Sequence, residues 1–76
     1  MTVHELEALV TAPRDLYAKI GSKTYGVMLG RRTGPDTWLV CYFKRRWLAV
    51  VVFAHDLYRT REEASKSPSN NYRPSM

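Results

Sequence analysis

Residues 37–60, TWLVCYFKRRWLAVVVFAHDLYRT, constrain the fold of this chain more than any other stretch. Two apolar runs, residues 38–43 and 47–54, flank the cationic triplet Lys44-Arg45-Arg46. Their β-branched and aromatic residues favour strands over helices, and the polar triplet between them predicts a hairpin with a charged tip. Both faces of this hairpin are apolar: Trp38, Val40 and Tyr42 point one way, Leu39, Cys41 and Phe43 the other. A sheet with one wet face alternates apolar with polar residues, so the hairpin needs cover on its second face. An N-terminal helix is one candidate for that cover and a second copy of the chain is the other.

The helix is written in the first residues. Thr2 and Glu5 stand at capping-box spacing. Val3, Leu6, Leu9 and Val10 then recur at helical period, until Pro13 ends the pattern near Thr11 or Ala12. From Asp15 the period changes to two: Leu16, Ala18 and Ile20 alternate with Tyr17 and Lys19. Gly21-Ser22 is a glycine-first pair suited to a tight hairpin. The return strand, residues 23–32, holds Gly26 and Gly30, and isolated strand glycines mark bulges or bends. Thr33-Gly34-Pro35-Asp36 is a turn by composition. Residues 54–57 read as one tight turn and residues 57–60 as a closing strand, with a helix from Arg61 as a continuation. Beyond Glu63 the chain is nearly devoid of apolar residues and carries two prolines, Pro68 and Pro74. The expected organisation is therefore one globular domain over residues 1–63 and a flexible tail over residues 64–76.

The order of these elements over residues 14–61 resembles an SH3-like small barrel: five short strands, a bent second strand and a one-turn helix before the last. The expected fold class is mainly β, a five-stranded barrel or strongly bent sheet with a short N-terminal helix. That likeness covers protein-, RNA- and DNA-binding modules alike and implies no single function.

A chain of 76 residues buries only about 60% of the surface that it exposes when unfolded. Cys41 is the only cysteine, so no internal disulfide can add stability, and it reads as a small core residue in a reducing compartment. The N-terminus is acidic and lacks an apolar core, and neither apolar run approaches the roughly 20 residues of a membrane span. A cytoplasmic protein without a membrane partner is expected.

Catalysis is hard to build from these residues. His4 and His55 are the only histidines. His55-Asp56 reads as a turn, no serine lies in a nucleophile-elbow pattern, and His4, His55 and Cys41 lack the spacing of a metal site. No phosphate-loop glycine pattern or other cofactor signature is present. The expectation is a binding module, not an enzyme.

Twelve Lys and Arg against seven Asp and Glu give a net charge of +5, which favours anionic partners. Because antiparallel strands alternate in direction, the Gly21-Ser22 turn and the Lys44–Arg46 tip fall at the same end of the sheet. Lys19, Lys23, Lys44, Arg45 and Arg46 therefore gather there as a candidate nucleic-acid or anion site, with Tyr17 exposed for base stacking. Arg14, Arg31 and Arg32 form a second basic cluster at the opposite end. The same charges also serve a plainer role, keeping sheet edges from pairing with other chains. The expected partner is nucleic acid, DNA or RNA, or another phosphate-bearing ligand. The alternative is an acidic protein surface met by an adaptor, regulator or inhibitor, and either reading accommodates a homodimer.

Overall fold

The computed structural model describes residues 1–9, 15–45 and 47–74. Gly21 adopts a φ of 68°, a left-handed conformation that glycine enters without steric cost, and the chain reverses there. The turn joins β1 (Asp15–Ile20) to β2 (Lys23–Arg32), with Tyr17 opposite Gly26 and Ile20 opposite Lys23. β3 (Thr37–Tyr42) pairs with β2, and β4 (Ala49–Phe53) pairs with β3. A 3-10 turn, Ala54–Asp56, leads into the two-residue β5 (Leu57–Tyr58), which returns to pair with Tyr17 and Ala18 of β1. The five strands form one antiparallel sheet of order β4-β3-β2-β1-β5. The sheet is bent but not closed, so the expected barrel reduces to a five-stranded open sheet among the described residues.

The bend has a local cause. Leu29 faces Val40 but Arg32 faces Trp38, so β2 spends one residue more than β3 across that interval. Such a bulge curves the strand that carries it, and Gly30 lies within it.

Alternation decides what is buried. Leu16, Ala18 and Ile20 of β1, Val27 of β2, Trp38, Val40 and Tyr42 of β3, and Val50 and Val52 of β4 all face one core, joined by Leu57. α1 (Val3–Ala8) is closed at its start by the reciprocal Thr2–Glu5 capping box, whose hydrogen bonds hold the Glu5 carboxyl below its usual range. Its Leu6 is fully buried in that same core, and the helix packs against the 3-10 turn. Here the sequence expectation requires correction. The helix completes the inner face and leaves the outer face of the β3–β4 hairpin uncovered: Phe43, Val51 and Phe53 are more than two-fifths exposed. Trp47, expected within the fourth strand, precedes β4 and is 73% exposed.

The expected helix after Thr60 forms as α2 (Arg61–Ser65), with Thr60 as its N-cap, and packs on β1 and β2. Packed structure does not end at Glu63, however. Ala64 is fully buried, and residues 66–74, expected as part of a flexible tail, run from the end of β1 to the β4 edge. On the β1 side, Asn70 donates its backbone N–H to Gly21 O at 3.0 Å. Its side-chain amide donates to Lys19 O at 2.8 Å and accepts from Gly21 N at 2.9 Å. On the β4 side, Tyr72 Oη accepts from Phe53 N at 3.1 Å and donates to the Asp56 carboxylate. A polar tail is held here through unpaired strand-edge groups, a kind of contact that hydropathy does not register. Among the described residues, no helix is long and apolar enough to cross a membrane.

Candidate functional site

The β2–β3 ladder ends where Phe43 N donates to Gly26 O at 2.9 Å, whereas the β1–β2 ladder runs on to Lys23. Past that point the two hairpin ends part: Lys23, Thr24 and Tyr25 form one wall, and Phe43, Lys44, Arg45 and Leu48 the other. The cleft between them has a volume of about 810 Å³. Tyr25 and Tyr42 stack within it, their ring centroids 4.5 Å apart, and burial raises the Tyr42 hydroxyl pKa, with Tyr25 adding to the effect.

Four of the six residues that the sequence assigns to this site line the cleft: Tyr17, Lys23, Lys44 and Arg45. Lys19 does not. Its ammonium donates to Ser65 O at 3.0 Å and Ser67 O at 2.7 Å, so it fastens the end of α2 to β1. Arg46 lies outside the described residues. In the second basic cluster Arg14 also lies outside them, and Arg31 is exposed. Arg32 is engaged structurally: it pairs with Glu7 at 2.7 Å, donates to the carbonyls of Gly34 and Pro35, and lies 5.0 Å over the Trp38 ring. It joins the β2–β3 turn to α1.

Sequence reasoning missed Arg61. The Thr60-x-x-Glu63 cap fixes the start of α2 and places Arg61 in its first turn. From there its guanidinium reaches Thr24 O at 3.3 Å and lies 5.2 Å over the Tyr17 ring. The capping pattern was the available signal, and only the packing of α2 on β1 and β2 turns it into a cleft residue. Tyr72 and Pro74 of the tail also reach the cleft.

The electrostatic character of the lining is one-sided. Among the described residues, Lys23, Lys44, Arg45 and Arg61 contribute four cations, and no Asp or Glu lines the cleft. Three carboxylates pair with cations away from the cleft: Glu7 with Arg32, Glu5 with Arg59 and Glu62 with Lys66. The cleft thus offers hydrogen-bond donors and positive charge beside aromatic rings, the chemistry that holds phosphates and stacks planar groups.

Tyr72 gives a test of how the tail is seated. Burial, and then its hydrogen bond to Asp56, raise its hydroxyl from 10.0 to about 12. A phenol held neutral by the fold stabilises it fully below the unfolded pKa of 10.0, and that contribution is lost as pH rises through about 12. Subtracting the phenolate absorbance titration of Tyr72→Phe from that of the parent should leave a step near pH 12. A difference step near pH 10 would mean that the hydroxyl is free in solution.

No protein-family model, no curated protein and no solved structure matches this chain.

Proposed function

We propose that this protein is a non-enzymatic nucleic-acid-binding module that engages phosphates through the cleft between its two hairpin ends. The observation that carries this reading is the gathering of Lys23, Lys44, Arg45 and Arg61 around one cleft with no Asp or Glu side chain among the described lining residues. Charges placed only to keep strand edges apart have no reason to converge on a recess, nor to be interleaved with Tyr17 and Tyr25. The strand order β4-β3-β2-β1-β5, with a 3-10 turn before the last strand, also supports the SH3-like reading of the fold. We take the free Cys41 to fit a reducing, cytoplasmic setting.

Contacts through phosphates give weak sequence preference and steep dependence on salt. If each of the four cations displaces one counterion, log Kobs should fall against log salt with a slope of roughly −3 to −4. Reversing Lys44 and Arg45 to glutamate should weaken binding at least about tenfold and halve that slope, as counterion release requires. Fluorescence anisotropy with labelled DNA and RNA at low and moderate salt measures both quantities. Absence of any binding at 50 mM salt would end the proposal.

A second reading draws on a different observation. Phe43, Trp47, Val51 and Phe53 leave apolar surface exposed along the β3–β4 hairpin, and contiguous patches of this kind mark association surfaces. An adaptor or regulator docking through that face, or a homodimer formed by it, would not need the cleft cations. The charge-reversed variant would then keep its association.

A further inference from the structure

Gly26 is a glycine that the fold does not require. Its φ lies outside the left-handed region, where Gly21 is the only described residue. It pairs with Tyr17 in unbroken register, so it marks no bulge in β1–β2. A Cβ placed on it would meet Tyr17 Cε2 and Phe43 Cβ at 3.8 Å each, ordinary contact and not a clash. Glycine weakens a strand interior relative to alanine. At this position it leaves bare backbone between two aromatic side chains, inside the cleft that Lys44, Arg45 and Arg61 ring with positive charge.

We infer that Gly26 is the floor of a slot that receives an unpaired base, with Tyr17 and Phe43 as its walls, so that the preferred ligand is single-stranded nucleic acid. This rests on the nucleic-acid reading of the cleft and narrows it. The bases of a duplex are stacked on one another and cannot enter a gap between two side chains on the sheet, whereas a flexible strand can splay a base into it. Arg61 lies over the Tyr17 ring, and Gly26 beside that ring carries no side chain of its own. Stacking on a ring face tolerates any base, so composition should matter little.

The test compares a labelled 12-nucleotide oligothymidylate with a duplex of equal length, titrated against the parent, Gly26→Val and Tyr17→Leu. Valine is a good strand former and projects its branches into the slot, and Tyr17→Leu removes a wall without changing the backbone. The oligothymidylate should bind the parent at least about tenfold tighter than the duplex, and each variant should lose about five- to a hundredfold for the single strand, the worth of one stacked base. The salt slope should stay at the parent value, since no phosphate contact is removed. Equal affinity for the two ligands, or single-strand binding unchanged in Tyr17→Leu, overturns the slot while leaving the cationic reading of the cleft in place. Failure of both ligands to bind the parent overturns that reading and the slot together. Should Gly26→Val fold poorly, as judged by circular dichroism, Tyr17→Leu decides the question alone.

Discussion

Leu57→Ala should remove a large part of the stability of this protein. Leu57 is fully buried and pairs with Ala18, in a strand only two residues long. β5 therefore has little besides that side chain to fasten it to β1. Truncating a buried leucine to alanine costs about 2–5 kcal/mol, the upper values applying where the surroundings cannot collapse into the gap. Leu57 shares its core with Leu16 and Val52 of the sheet and Leu6 of the helix. A domain of 76 residues has roughly 4–11 kcal/mol in total, at about 0.05–0.15 kcal/mol per residue. The variant should consequently populate the unfolded state at modest temperature, and its urea midpoint should fall by about half. A midpoint within a tenth of the parent value would show that Leu57 is less confined than the structure indicates.

The second large effect is a contrast between two glycines of β2. At Gly30 a Cβ would stand 2.6 Å from Leu39 O and 3.4 Å from Leu39 C, backbone atoms of the partner strand that cannot swing aside. Gly30→Ala must force β2 and β3 apart at the bulge, and overpacking of this kind costs about 1–3 kcal/mol. At Gly26 the corresponding contacts are both 3.8 Å. Gly26→Ala should instead stabilise by about 0.4–1 kcal/mol, because alanine loses less backbone freedom on folding. The same one-methyl change, four residues apart in one strand, should thus move the thermal midpoint in opposite directions. Two shifts of the same sign would contradict the bulge as the reason for Gly30 or the open slot as the setting of Gly26.

The sheet was legible because its core positions obey a period of two over four successive strands. Leu16-Ala18-Ile20, Tyr25-Val27-Leu29, Trp38-Val40-Tyr42 and Val50-Val52 all fall on the inner face that their spacing assigns to them. The placement of α1 was not legible. An apolar stripe says that a helix needs a partner but not which one, and Leu6 joins the inner core while Leu39, Cys41 and Phe43 stay outside it. The cations divided for a similar reason. Lys19 and Arg32 carry the same charge as Lys44 and Arg45, and what separates them is the neighbouring carbonyls of Ser65, Ser67, Gly34 and Pro35. Those acceptors come from a helix end and a turn whose positions only the folded chain fixes. The tail was unreadable on hydropathy, since one tyrosine and one asparagine fasten it through hydrogen bonds.

The 3-10 turn Ala54–Asp56 has a bearing on connectivity. The Met1 amine donates to Ala54 O at 2.9 Å and to Leu57 O, and the Tyr72 hydroxyl reaches Asp56 from the other side. Two segments about seventy residues apart in sequence therefore converge on one three-residue landmark, and the described chain runs nearly as a ring. A circular permutant that bridges those segments with a short linker, and opens instead at the β2–β3 turn, would keep every strand neighbour while relocating the cut far from the cleft.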